Sequence, residues 1–337
     1  MTFTLVVPAL LCLLPVLCFL LALVSLDGYK LVRPSAILAV MTGGMVMAVV
    51  SYFLNEWLLQ HLGLERLQIT RYVSPPIEEG LKGLIILWLI RRHRIGFLVD
   101  AAIAGFAVGC GFALVENLYV LWSVPDAGLP TWIVRGFGTA IMHGGATAMI
   151  ALVALAMLER DEHRGLRAAL PGFAAAVLLH SGFNHLNHAP KLATLAALIA
   201  VPILLLAAYH QSERTLAAWL SHGFDADAEM LELLHSGRLS DSPVGQYLRS
   251  LKARFNGPVL ADLLCYLGLF TELALRAKGF LMMRENGFEP TIDQETRAKF
   301  AEIRYLERSI GRTGLLALQP LLPMRRKALW QLYLLRG

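Results

Sequence analysis

Two adjacent carboxylates, Glu78 and Glu79, stand in a stretch of chain otherwise suited to lipid, with Lys82 just downstream. Glu116, His143 and the pair His180 and Asn184 follow, each again inside an apolar run. An ionisable side chain inside a membrane-spanning helix costs about 3 kcal/mol unless it faces a cavity or a partner, so each marks function by default. Neighbouring carboxylates in a low dielectric are the raw material of a general acid–base couple. Glu78 and Lys82, at i and i+4, share a helix face and can pair, while Glu79 points about 100° away and is free for another partner. His180 and Asn184 have the same spacing, which brings an amide within reach of an imidazole. Gly144 and Gly145 after His143 remove bulk and let a neighbouring helix or a substrate backbone come close.

Helices crossing a membrane must position these groups. Of 337 residues 56% are hydrophobic and 16% charged, which excludes an ordinary soluble globule. Apolar runs of about 20 residues, the length of a spanning helix, recur through residues 1–210. The expected fold is all-α: a polytopic membrane helix bundle of about seven spans, near 4–26, 36–60, 74–90, 98–122, 131–158, 168–188 and 191–210. The run from Leu5 to Leu26 has no basic leader and no small-residue cleavage pattern, so it reads as a retained helix. The third span opens with Ser74-Pro75-Pro76, a serine suited to capping and prolines suited to a first turn, and that N-terminus would favour negative charge. Gly105 and Gly109 form a GxxxG on the fourth span, with Gly111 beyond, so close helix packing is expected there. Counted from the outer span ends at about 1.5 Å per residue, Glu78, Glu116, His143 and His180 lie roughly 6, 9, 18 and 12 Å deep. All four fall in the outer half and could share one pocket.

Residues 1–210 hold 13 Lys/Arg and 11 Asp/Glu, the shorter remainder 17 and 14. Residues 211–337 therefore read as a small helical soluble domain, with helices from Asp225 to Leu234, Pro258 to Met283 and Asp293 to about Ile310. After Arg325-Arg326-Lys327 a last amphipathic segment, Ala328 to Leu335, either belongs to that domain or lies on the membrane surface. Lys30, Arg33, Arg91, Arg92, Arg94, Arg160, Arg164 and Arg167 fall in loops of one side. Arg66, Arg71 and Lys191 fall in those of the other, with Arg135 just inside a span. That asymmetry predicts an N-terminus outside and a cytoplasmic tail. The net charge of +5 fits this topology and is no nucleic-acid footprint. The four cysteines stand singly, as packing residues.

The run Glu78-Glu79-Gly80-Leu81-Lys82 resembles the EExxK motif of the PrsW family of intramembrane proteases, relatives of the CAAX prenyl endopeptidases. Asp100 and the glycine-rich helix ending in Glu116-Asn117 look like the family's second motif, and His143 and His180-x-x-x-Asn184 match the remaining two in order and type. The resemblance covers about 74–188, a protease-like core. It implies an intramembrane endopeptidase of the bacterial cytoplasmic membrane, cutting membrane protein substrates in a lipid bilayer. In the founding member the substrate is an anti-sigma factor in stress signalling. Glu78, Glu79, His143 and His180 would carry catalysis, with Lys82, Asp100, Glu116, Asn117 and Asn184 in support.

The chemistry expected is hydrolysis by a water that Glu78 or Glu79 deprotonates with help from His143. The second carboxylate or His180 would then serve the leaving amine, and Asn184 with a histidine N–H the oxyanion. No cofactor is favoured. The nearest alternative is a zinc site of Glu79, Glu116, His143 and His180, although no HExxH supplies two ligands and a base. From other classes, the buried charges could line a transport path, or the chain could be a silent scaffold whose tail recruits a cytosolic partner. The absence of an inverted hydropathy repeat speaks against transport.

Overall fold

The computed structural model describes residues 2–288 and 290–322, with Trp330 and Leu335 besides. Among the described residues every regular element is helical, and seven helices are long and apolar enough to cross a membrane. The chain divides into two compact units, Met1–Glu213 and Arg214–Gly337.

In the first unit the long helices are α1 (Thr2–Leu26), α2 (Pro34–His61), α4 (Ser74–Arg91), α5 (Leu98–Ser123), α7 (Ala140–Arg160), α8 (Leu170–His185) and α9 (Pro190–His235). Short helices α3 (Arg66–Gln68) and α6 (Leu129–Ile133) each lead through a π turn, Ile69–Val73 and Val134–Thr139, into α4 and α7. The central helix is α5, buried from Val99 to Leu114 without a break. Glycine makes this possible. A Cβ on Gly105 would stand 2.6 Å from the Ala148 Cα, and one on Gly109 2.2 Å from the His143 carbonyl oxygen, so α5 and α7 meet backbone to backbone. Gly105, Gly109, Phe112 and Glu116 recur along one face of α5, so the contact that seats His143 also aims Glu116 at α7. Gly44 and Gly111 bring α2 as close on another side, within 2.0 Å of the Val108 oxygen and 1.9 Å of the Met41 oxygen for an added Cβ. The outer faces of α1 and α2 present Leu21, Leu38, Phe53 and Trp57, as lipid-facing surfaces do.

Three expectations change. Ser74 does not cap α4: its N–H bonds to Ile69 O across the π turn, Val73 is itself helical, and no side-chain cap forms. Glu78 therefore lies well inside a helical run that starts at Arg66, not in the first turn of a helix. The seven apolar helices are also not quite the seven expected, because α4 carries Glu78, Glu79 and Lys82 in eighteen residues and drops out, whereas Gly257–Glu285 of the second unit qualifies. Third, α9 runs on to His235, taking in the residues expected to separate it from a helix at Asp225. Residues 211–222 contain neither Pro nor Gly to stop it.

The second unit holds the end of α9, then α10 (Pro243–Ser250), α11 (Gly257–Glu285) and α12 (Gln294–Leu318). Ser242, Asn256 and Asp293 cap these three helices by accepting from Gly245, Val259 and Thr296 backbone N–H groups. Leu263, Tyr266, Leu267, Phe270 and Leu273 of α11 pack with Phe300, Ile303, Leu306 and Ile310 of α12, so the apolar face of α11 is covered by protein. The basic run at 325–327 and the segment from Ala328 to Leu335 lie outside the described residues, Trp330 and Leu335 excepted.

Candidate active site

The first unit gathers Glu78, Glu79 and Lys82 of α4, Glu116 and Asn117 of α5, His143 of α7 and His180 of α8. The two glutamates hold different places. Glu79 is fully buried; its Oε1 accepts from Lys82 Nζ at 2.6 Å and faces His180 Nδ1 at 2.8 Å. Glu78 lines a cavity, with Oε2 3.8 Å from His180 Nε2 and Oε1 accepting from Asn55 Nδ2 at 3.2 Å. Lys82 thus pairs with Glu79 at i+3, not with Glu78 at i+4. The carboxylate expected to be neutralised locally is the one turned to open space.

Lys82 also reaches His143 Nδ1 at 3.1 Å and lies 4.7 Å over the Phe112 ring. On the far edge of the imidazole, His143 Nε2 is 2.7 Å from Glu116 Oε2. Arg135 holds that glutamate in turn, with Nη2 2.9 Å from Oε1 and Nε 2.7 Å from Asn117 Oδ1. Asn117 donates to the Cys12 carbonyl at 2.6 Å, which ties the cluster to α1. The two histidine rings stand edge to face, 4.7 Å apart. A cavity of about 780 Å³ exposes Glu78, Glu116, Arg135, His143 and His180 together. A second, of about 450 Å³, reaches Glu78 and Glu116 from the side of Tyr52, Phe53, Phe112 and Tyr119.

Asn184 lies near the site but does not meet His180. Ser74 N–H bonds five residues back, and in that π register Pro75 and Pro76 would serve Thr70 O and Arg71 O, but proline has no N–H. The Asn184 amide bonds Thr70 O at 2.9 Å and the Ser181 hydroxyl bonds Arg71 O at 2.6 Å, satisfying those two carbonyls. Through these bonds α8 fixes the register of α4 and so the meeting of His180 with both glutamates. Asn184→Ala should therefore cost about 1 kcal/mol and lower cleavage about tenfold through misplacement. Thermal unfolding and turnover of the variant in bilayers measure both; activity lost as fully as with a missing base would show that the amide touches substrate.

Asp100 is not gathered. It sits at the other end of α5, sixteen residues and about 24 Å from Glu116, where its Oδ2 accepts from Gly96 and Phe97 N–H groups at the helix start.

The model of one protein family matches residues 32–207 and is described as PrsW family intramembrane metalloprotease. The chain belongs to the PrsW family. No curated protein and no solved structure matches it. Membership supports peptidase activity in a membrane, on substrates embedded in or attached to the bilayer. The matched part of this PrsW chain ends inside α9 and so leaves out α10 to α12. Its Glu78, His143 and His180 each offer a ligand atom, all within 4.8 Å of one another, a group that could hold a metal ion. The set expected for zinc was different. Glu79 is turned to Lys82 and His180, and Glu116 to Arg135 and His143, so neither belongs to that group. Sequence reasoning also passed over Arg135 and Asn55. An arginine just inside a span, eight residues before His143, called for a partner, which was the available signal.

Proposed function

We propose that this PrsW protein hydrolyses peptide bonds of membrane proteins with a water activated by Glu78 and His180, without a resident metal. The opposition of Glu78 Oε2 and His180 Nε2 at 3.8 Å on a cavity wall carries the reading. With Nδ1–H given to Glu79, His180 keeps a lone pair on Nε2. A water between them donates one hydrogen bond to each. Glu78 takes the proton as the water oxygen bonds to the substrate carbonyl carbon, then returns it to the amide nitrogen as the C–N bond breaks. The Arg135 guanidinium faces the same cavity and would stabilise the oxyanion.

The donor set fits a metal poorly. A catalytic zinc takes three protein ligands and one water. Of the trio Glu78, His143 and His180, the first and last alone present unengaged lone pairs, because one nitrogen of His143 faces the Lys82 ammonium and the other a carboxylate, while the unpartnered Glu79 Oε2 lies outside the trio.

Two cavities meeting at Glu78 let a peptide run past the carboxylate on both sides. One is lined by Val49, Tyr52, Phe53 and Val115 and suits apolar residues. The other has Thr131, Arg135, Thr139 and Lys191 and suits a polar stretch. The substrate we infer is a single-span protein cut at the margin of its apolar helix, with an anti-sigma-like regulator as the first class to test. Residues 214–337 would form a cytosolic helical domain open to a cytosolic partner, with the N-terminus outside and the bacterial cytoplasmic membrane as location. In liposomes the purified chain should cut a single-span reporter within a few residues of the apolar boundary, mapped by mass spectrometry. Reporters of varied sequence all left whole would overturn the proposal.

A further inference from the structure

The Glu79–Lys82 ion pair touches both histidines, each on its Nδ1. Lysine has three donors and no acceptor, so Nδ1 of His143, 3.1 Å from Lys82 Nζ, must accept. The proton of a neutral imidazole then sits on Nε2, where Glu116 Oε2 at 2.7 Å, an acceptor only, takes it. An imidazolium at His143 would set a donor against the ammonium. At His180 the same reasoning gives the opposite result: Glu79 Oε1 at 2.8 Å draws the proton to Nδ1, and Nε2 faces Glu78 as an acceptor. Three bonds thereby assign both nitrogens of His143 and Nδ1 of His180, and a neutral ring leaves Nε2 of His180 as the acceptor.

Resting on the reading of Glu78 and His180 as the water-activating pair, we infer that Glu79 and Lys82 are positioning residues that lock His180 and His143 in opposite neutral tautomers. The His180 ring then offers the cavity a lone pair, while the His143 ring gives its N–H to Glu116. An acceptor is wanted beside the water, and the ion pair on α4 supplies it at His180 while His143 holds Glu116, the carboxylate that Arg135 grips from its other oxygen. The same lock withholds His143 from a cation. Its Nδ1 is taken, its Nε2 carries hydrogen, and a dication at the Glu78–His180 opening would meet the repulsion of Lys82.

The test is solid-state NMR of the full chain in bilayers with ¹⁵N-labelled histidine, the two residues assigned by the signals missing in His143→Gln and His180→Gln. The expected spectrum has Nε2–H at His143 and Nδ1–H at His180. Lys82→Arg, still a donor, should keep the His143 tautomer, and Lys82→Met should release it to a mixture. If Lys82→Met does not fold, Glu79→Gln/Lys82→Met removes the unpaired charge and should lose both assignments. Titration with zinc ions alone should show binding about tenfold or more tighter in the folded lysine-free variant than in the wild type. Nδ1–H at His143 in the wild type, or an unchanged spectrum without the lysine, would overturn the inference. The two proposals separate cleanly: opposite tautomers in a chain whose Glu78→Gln variant still cleaves would sink the mechanism and leave the lock standing.

Discussion

Glu78→Gln should reduce cleavage by about 10³-fold in the reconstituted chain while leaving the fold intact. The amide keeps the shape of the side chain and can still meet Asn55, but it cannot take a proton from water or return one to the leaving amine, a role worth about 10²–10⁴ in rate. Stability should change little, because Glu78 faces a cavity and its Oε2 stands 3.8 Å from the neutral His180 ring, beyond hydrogen-bond reach. Turnover of a reporter and thermal unfolding on the same preparation check both halves. A variant that cleaves within tenfold of the wild type would remove Glu78 from the chemistry.

The neighbouring glutamate should behave differently. Glu79→Gln leaves the Lys82 ammonium fully buried with no carboxylate, and breaking a buried pair costs about 3 kcal/mol or more. Removing both charges in Glu79→Gln/Lys82→Met should restore most of that stability, because a neutral pair of similar volume carries no uncompensated charge. Activity should not return, since His180 has lost its carboxylate and His143 its ammonium. Unfolding of both single variants and the double in one detergent gives the coupling energy. Additive losses would show that the two side chains do not interact, and restored cleavage would show that the pair is scaffolding only.

The helices were largely legible because twenty apolar residues in a row have few alternatives in lipid, and the glycines at 105, 109 and 111 announced tight crossings that α5 makes with α7 and α2. Harder to read was which glutamate would meet Lys82. Both spacings, three and four, are compatible with a helix, and the choice falls to His143 and His180, which arrive from α7 and α8 and flank Glu79 and its lysine. The role of Asn184 was hidden for a similar reason. Spacing pointed to His180, but two prolines just after a π turn leave carbonyls on another stretch of chain that Asn184 and Ser181 of α8 satisfy. Asp100 stands in a motif with Glu116 yet caps the far end of the same helix, a reminder that order along the chain does not give depth. Arg135 read as a topological charge because its partner, Glu116, lies on a different span.

A metal-free pair at Glu78 and His180 is most directly tested by elemental analysis and cleavage on one sample: the chain purified in bilayers, depleted with a chelator, and assayed in single turnover. Less than about a tenth of a metal ion per chain, with unreduced cleavage, is the predicted result. One zinc per chain whose removal stops cleavage and whose return restores it would contradict the account.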